Sequence, residues 1–400
     1  MSRAYDYVIV GGGIAGVTAA ETIRAHDHEG SIAIFSAEPH PLYSRVMLPL
    51  YVRGKLRREQ VFLRTHADYE KNNISIFFDQ EVIGINLDRR EIHTNIGSAV
   101  VYRALLISAG GVPKPWAIKG GDHPLVYRLQ TIEDADRLRE ILQSLNAKLE
   151  ALIIGCGFIG LEFIESCVAY GIKPLIVMPE QYALKQFLGP DGARLLEEQW
   201  QRENAEIKRA TSVEAIQFSE QGVVALAAEG QGYRGAFAAV GIGLTRAIQT
   251  FTGIGLEVNQ GIKTNEFLET NQKGVFAAGD VAEYYDLIFQ THRLVGNWTN
   301  AYLQGSIAGE NMAHFVKGEQ DVYRPFRKVS SYSLTHMGMH LAFVGECDPA
   351  AAGQIKEEYS PQERAYIRTL WRNERMIGAS LINRPKEIPR ITKMIEEGRI

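Results

Sequence analysis

Apolar residues along this chain fall into two textures: short solid runs of four or five, and longer stretches spaced as on one face of a helix. The solid runs Tyr7 to Val10, SIAIF at 31–35, Ala151 to Ile154 and KPLIV at 173–177 predict buried strands of a parallel sheet. Further strands are expected at 74–78, at 81–87 with 91–93 as a hairpin, and at 104–108, 236–240 and 274–277. Helical spacing predicts helices over 191–204 and about 299–316. Another is expected over 131–145, opened by Thr131 with Glu133 and Asp134 in its first turn, where acids suit the positive helix end. From Tyr323 onward the pattern changes to short strands. Residues 366–382 read as a hairpin, with Ile367, Leu370, Met376, Ile377 and Leu381 flanking a polar turn at Arg372 to Arg375.

The chain also repeats itself. YVIVGGGIAGVTAAETI at 7–23 recurs as ALIIGCGFIGLEFIESC at 151–167, and each copy continues into a second apolar strand. Strand, glycine turn, helix and strand are thus made twice, the unit of an α/β fold with a parallel sheet.

In Gly11-x-Gly13-x-x-Gly16 the first glycine permits a tight strand-to-helix turn. The second lets a pyrophosphate approach the backbone, and the third lets helix pack on strand. The anion then meets unpaired N–H groups at the positive end of the helix. A lone glycine pattern also occurs for packing alone, but here the whole strand-turn-helix-strand context accompanies it. Gly155, Gly157 and Gly160 repeat the pattern. An acid after the second strand is expected to hold ribose hydroxyls: Glu38 lies three residues after Phe35, and Glu180 three after Val177. An exposed loop carboxylate is the alternative reading of Glu38. No Arg or Lys between 178 and 184 is available for a 2′-phosphate, which favours NADH over NADPH at the second turn.

Composition narrows the class without choosing a function. At 400 residues, two or three domains are expected. Apolar residues at 46% and charged residues at 22% are ordinary for a folded globular chain. A net charge of -4, from 43 basic and 47 acidic side chains, provides no overall field for nucleic acid or anionic lipid. Three cysteines, Cys156, Cys167 and Cys347, form neither a disulfide framework nor a metal cluster, which points to a cytoplasmic, reducing setting. The apolar start is broken by Gly11 to Gly13 and Gly16, so it reads as a phosphate turn rather than a signal peptide or membrane span.

With these motifs in place, the chain resembles the FAD-dependent pyridine nucleotide oxidoreductases over nearly its whole length, particularly ferredoxin and rubredoxin reductases and the flavin region of nitrite reductase large subunits. Beyond the two turns the resemblance rests on PLYSRVMLP at 41–49, LLISAGGVP at 105–113 and VYRLQTIEDA at 126–135. It continues through VGIGL at 240–244, FAAGDVAE at 276–283 and NWTNAYLQGSIAGENM at 297–312. It implies two Rossmann-like dinucleotide-binding domains, one for FAD (1–115 and 241–318) and one for NAD(H) (116–240), followed by a small α+β interface domain (319–400). That last part would support a homodimer or a partner subunit.

The resemblance implies FAD contacts from Gly11, Gly13, Ile14, Ala15, Gly16, Glu38, Arg45, Val82, Ala109, Gly110 and Arg128, and a cofactor contact from Gly241. Asp280 would bond the ribityl chain, a helix N-cap being its alternative role, with Trp298 and Thr299 at a helix end aimed at the flavin. Gly155, Gly157, Phe158, Ile159, Gly160 and Glu180 would hold the nicotinamide dinucleotide. Glu162 matches a carboxylate beside flavin and nicotinamide. Relatives often pair it with a lysine, but the equivalent position here is Leu50, so the ion pair is expected to be missing and the carboxyl pKa raised. Arg53, Lys55, Arg57 and Arg58 match no family position and read as a solvated face. Met178 stands where many relatives carry an acid.

The disulfide reductases of this superfamily carry a Cys-x4-Cys pair in the first domain, whereas this chain has no cysteine before Cys156. Cys167 and Cys347 read as inert core residues. Electrons then leave the flavin directly, and an NADH-dependent reductase of a small redox protein such as ferredoxin or rubredoxin is the leading expectation. An NADH oxidase acting on oxygen or quinone, and a flavin-bearing electron-transfer or sensor subunit with a weakened nicotinamide site, remain alternatives.

Overall fold

The computed structural model describes residues 3–145, 149–220 and 222–398. Its α-helices are α1 (Ile14–His26), α2 (Leu48–Val52), α3 (His66–Lys71), α4 (Ile132–Ser144), α5 (Phe158–Ala169), α6 (Pro190–Arg202), α7 (Trp298–Lys317) and α8 (Ile388–Glu397). The chain divides into two compact units. One comprises Met1–Ser44, Phe62–Val112 and Thr245–Ser330; the other comprises Arg45–Val61, Pro113–Leu244 and Ser331–Ile400.

The first unit is built on a sheet in the order Ile74–Phe77, Ile32–Phe35, Arg3–Val10, Ala99–Ile107, Glu91–Thr94, Val82–Asn86, with Val275–Ala277 also paired to Ala99–Ile107. The strands expected at 74–78, 81–87, 91–93, 104–108 and 274–277 are all present. Val10 pairs with Phe35 on one side and Ile107 on the other, and Ala277 pairs with Ile107, so four parallel strands end in line. Such a sheet binds ligands outside its carboxyl ends, where strand order reverses about the first strand. Helix α7 begins at Asn297, whose side chain accepts from Asn300 N–H at 2.8 Å, and ends at Gly318 with φ +80°. It packs very closely on α1: a methyl group at Gly305 would lie 2.3 Å from Ala15 O, and one at Gly309 2.5 Å from Ala19 O.

The second unit holds a fully parallel sheet ordered Glu206–Lys208, Lys173–Val177, Glu150–Ile154, Ala238–Val240, Val126–Tyr127. Ile154 pairs with Val177 and with Val240, which repeats the aligned ends of the first sheet. Thr131 opens α4, as its sequence predicts, and the structure adds a capping box between Thr131 and Asp134. Residues 331–398 form a five-stranded antiparallel sheet backed by α8. The expected hairpin is there, Ala365–Arg372 with Arg375–Ile382, and it turns through Asn373 and Glu374 with φ of 49° and 62°. The α part of the expected α+β make-up is α8, which the sequence reading did not place: its buried Ile391 and Ile395 lie one turn apart and make it a helix packed on that sheet. A second element absent from the sequence reading is the antiparallel trio Val213–Ser219, Gly222–Ala227 and Gly232–Gly235. No helix among the described residues is long and apolar enough to cross a membrane.

Candidate dinucleotide sites

The two glycine turns have the same construction. Gly11 (φ +109°) and Gly155 (φ +87°) adopt a conformation that L side chains rarely take. A methyl group at Gly11 would meet Ser108 O at 2.3 Å; at Gly155 it would meet Gly241 O at 2.7 Å. In each case the obstacle is the residue that follows the neighbouring parallel strand. The third glycine is tied to the first: a Cβ at Gly16 would lie 2.1 Å from Gly11 O, and at Gly160 2.4 Å from Gly155 O. The middle glycines differ in kind, because Gly13 and Gly157 have nothing within 4 Å of where a Cβ would project. Each is the N-cap of its helix with no side-chain cap, so helix N–H donors face open space of the kind a pyrophosphate fills. Both turns therefore fit a dinucleotide.

In the first unit, the turn carrying Asp280 lies against two helix starts. Gly279 (φ +79°) would, with a Cβ, touch Ala15 Cβ at 3.3 Å and Ala301 Cβ at 3.6 Å. Its N–H donates to Gln304 Oε1 at 2.7 Å, and Gln304 Nε2 is buried with no hydrogen-bond partner. Asp280 itself faces Gly296, the residue before the α7 cap, at 3.2 Å from a Cβ placed there. The structure thus gathers Ile14 and Ala15 of α1, Asp280, and the start of α7 with Trp298 and Thr299. Glu38 is half-buried after strand Ile32–Phe35, where its carboxylate accepts from Tyr43 Oη and its N–H donates to Ser36 Oγ at 3.2 Å. Ala109 and Gly110 follow Ser108, and Gly110 (φ +69°) also faces open space. Val82 is buried at the start of its strand, in the core with Phe35 and Val8.

In the second unit, Met178 and Glu180 hold the places that Ser36 and Glu38 hold in the first. Met178 is fully buried and Ser36 nearly so. Glu180 is exposed, its backbone carbonyl accepting from Ala210 N–H at 3.0 Å. Phe158 stacks edge-on with Tyr332 and Phe343 and lies 4.8 Å from Phe187, so the α5 start is braced by an aromatic cluster. Ile159 is half-buried beside it. Arg45 opens the short turn Arg45–Met47, and Arg128, half-buried, donates to Gly121 O at 3.2 Å. Gly241 packs over the second turn, a Cβ there meeting Gly160 N at 2.9 Å, so among the described contacts it belongs with the second turn.

Two expectations at Glu162 are corrected. The carboxylate is not without a cation: Arg53 Nη1 lies 3.3 Å from Glu162 Oε2 and 2.7 Å from Glu165 Oε2. Nor is Arg53 on a solvated face, since its side chain is only 9% exposed. The residue at the expected position, Leu50, points outward, and the cation comes one helical turn later, at the C-cap of α2. Of the other three, Lys55 and Arg57 are exposed, while Arg58 bonds Asp136 at 2.9 Å. Burial pushes the Glu162 carboxyl up to about 7; Arg53 opposes the shift and Glu165 adds to it. Sequence reasoning missed Glu165, which lies one turn after Glu162 on the same helix face.

All three cysteines are free and buried. Burial pushes the Cys167 thiol up to about 12, and it raises Cys156, inside the second turn, further still. Neither is a thiolate nucleophile at neutral pH. No group of three or more His, Cys, Asp or Glu among the described residues is placed to hold a metal.

The sequence profile described as pyridine nucleotide-disulphide oxidoreductase matches residues 5–305. The rubredoxin-NAD(+) reductase of Pseudomonas putida is 24% identical over 95% of this chain and 96% of its own length. The assimilatory nitrate reductase electron transfer subunit of Bacillus subtilis (strain 168) is 24% identical over 96% of this chain but 48% of its own, so the chain spans about half the length of that relative. Among solved structures, the covalent putidaredoxin reductase-putidaredoxin complex superposes with a TM-score of 0.90 at 25% identity, over 98% of this chain and 93% of the other. Aligned sheet ends, paired glycine turns and this profile agree, and the chain belongs to the pyridine nucleotide-disulphide oxidoreductases, the FAD-dependent oxidoreductases of pyridine nucleotides.

Proposed function

We propose that this chain takes electrons from NADH on FAD and passes them, without a redox disulfide, to a small redox protein of the ferredoxin or rubredoxin kind. The observation that carries the proposal is the pair of geometrically matched turns in a chain whose three cysteines are all buried, with burial raising the thiol pKa of Cys156 and Cys167. Bound FAD supplies the conversion between two-electron and one-electron transfer.

The chain's own groups bind and orient. Gly13 and the α1 N–H donors take the FAD pyrophosphate, Glu38 the adenosine ribose and Asp280 the ribityl hydroxyls, with the α7 start at Trp298 and Thr299 directed to the ring. Arg45, Arg128, Val82, Ala109 and Gly110 complete that set, while Gly241 lies over the second turn. Gly157 and the α5 N–H donors, with Phe158 and Ile159, take the NADH pyrophosphate and Glu180 its ribose. Glu162 holds or releases a proton near neutral pH beside the nicotinamide. The FAD-binding part is read as 1–115 with 241–318, the NADH-binding part as 116–240, and 319–400 as the interface part, serving a homodimer or a partner subunit in the cytoplasm.

Met178 does not argue for a decayed nicotinamide site. Its counterpart in the first repeat, Ser36, is also buried, and in both repeats an acid lies two residues later, at Glu38 and Glu180, which supports Glu180 as the ribose ligand. The test is anaerobic turnover: NADH-driven reduction of ferredoxin or rubredoxin is expected to outpace oxygen uptake in air by at least roughly tenfold. Equal or faster transfer to oxygen would replace this reading with an oxidase.

A further inference from the structure

Arg53 is shared between two carboxylates by a single nitrogen, and the sharing is unequal: 2.7 Å to Glu165 and 3.3 Å to Glu162. Glu165 is the better supported of the two. Burial alone would raise its pKa, but His336, whose Nδ1 lies 3.3 Å away, the Arg53 charge and the Met337 N–H hold it below the ordinary glutamate value. The residues responsible come from a tight hairpin, Ser331–His336 to Met339–Gly345, whose two turn residues Met337 and Gly338 have φ of 47° and 79°. That turn delivers Met337 N–H and His336 together onto α5.

His336 is itself oriented. It is fully buried, and Trp200 Nε1, which can only donate, bonds His336 Nε2 at 2.7 Å. Nε2 is therefore the acceptor, and the ring proton sits on Nδ1, 3.3 Å from Glu165 Oε2. On the other side, α2 is fixed by Tyr170 Oη donating to Val52 O at 2.9 Å and by Tyr51 Oη donating to Asp136 at 2.6 Å. The guanidinium thus enters from an anchored helix and is drawn to the anchored carboxylate.

We propose that Glu165, backed by His336 and Trp200, acts as a positioning residue that withdraws Arg53 from Glu162, leaving Glu162 able to exchange a proton beside the nicotinamide. The idea rests on the reading that Glu162 serves the nicotinamide site. The groups facing Glu162 are Arg53 from α2, Glu165 from α5 and Tyr332 from strand Ser331–His336; Tyr332 is pushed up to about 12 by burial and then by the Glu162 charge. Two of these are acids or their conjugates, and the one cation is divided, so the balance at Glu162 depends on who holds Arg53.

The test is a carboxyl titration of the flavin-loaded full chain by 13C NMR with labelled glutamate, Glu162→Gln giving the assignment. Glu165→Gln removes a like charge and frees Arg53, so the Glu162 midpoint is expected to fall by about one pH unit or more, tenfold in its proton equilibrium. Arg53→Met removes the cation, and the midpoint is expected to rise; Arg53→Lys, which keeps a charge there, is expected to restore most of it. The pH profile of flavin bleaching by NADH should move in the same directions. A Glu162 midpoint left unmoved by both Glu165→Gln and Arg53→Met overturns the proposal. If NADH fails to bleach the wild-type flavin, the proposed function falls while the titration still decides the positioning role. Bleaching that persists beside an unmoved titration removes the positioning role alone.

Discussion

The two glycine turns share a backbone and differ in what surrounds it. Each follows the end of a parallel strand flanked by two others in register, and each closes with its third glycine on the carbonyl of its first. Around the first turn the neighbours are small and locked: Ala15 against Gly305, Gly279 against Ala15, Glu38 bonded to Tyr43. Around the second, Phe158 leans into an aromatic cluster, Glu180 is exposed, and α5 carries Glu162 where α1 has Thr18. A cofactor that stays bound through many turnovers needs the first kind of site, and a substrate that must leave needs the second. The turn makes the anion site; the packing around it sets whether the ligand resides or exchanges.

The sharpest way to break this comparison is to plug the two turns separately. Gly16→Val forces side-chain atoms onto Gly11 O, 2.1 Å from the Cβ position, and is expected to abolish FAD retention and most folded yield, read from the visible spectrum of the purified protein. Gly160→Val meets Gly155 O at 2.4 Å and is expected to leave FAD bound while eliminating bleaching by NADH. Loss of FAD from both variants would show that the turns are not separable.

The ribose acids come next. Glu38→Ala is expected to weaken FAD about 10- to 100-fold and Glu180→Ala to weaken NADH roughly tenfold, the scale of one charge-assisted hydrogen bond. Equilibrium titrations of reconstituted protein would check both. A larger loss at Glu180 than at Glu38 would reverse the ranking of the two sites.

Glu162 offers a stability test with a definite sign. Its pKa in the folded chain, about 7, is above the ordinary 4.5, so folding is disfavoured once the group must ionise. Its contribution is fully present below pH 4.5 and is lost as pH rises through 7. Glu162→Gln is therefore expected to gain on the wild type between those values and hold a constant advantage above, at most about 3 kcal/mol. Thermal melts from pH 4 to 9 would show it, and an advantage that grows toward acid would contradict the assignment. The smallest effect is expected at the cysteines: Cys156→Ala should change the NADH reduction rate by less than about twofold, because a buried thiol of raised pKa has no nucleophilic part to play.

Much of this was legible in the sequence because parallel strands buried on both faces are written as unbroken apolar runs, and glycines with positive φ cannot be replaced cheaply. Gly11, Gly155 and the helix start at Thr131 are of this local kind. The Arg53 pairing was not legible. Leu50 and Arg53 lie on one short helix, and only the packing of α2 on α5 decides which of them meets Glu162. His336 and Trp200 are 136 positions apart, and their bond depends on a hairpin turn docking on a helix, for which a single sequence carries no signal. Helix α8 was not placed for a different reason: Ile388, Ile391, Met394 and Ile395 do carry a helical spacing, but the segment is only ten residues long, has a Pro at its start and follows a region whose texture is that of short strands.

The most direct test of the account is an anaerobic titration of the FAD-loaded full chain with NADH, followed at the flavin's visible maximum. Full bleaching at one equivalent, unchanged when all three cysteines are replaced by alanine, is the expected result. A flavin that stays oxidised under both NADH and NADPH, or that needs a cysteine in order to bleach, would contradict it.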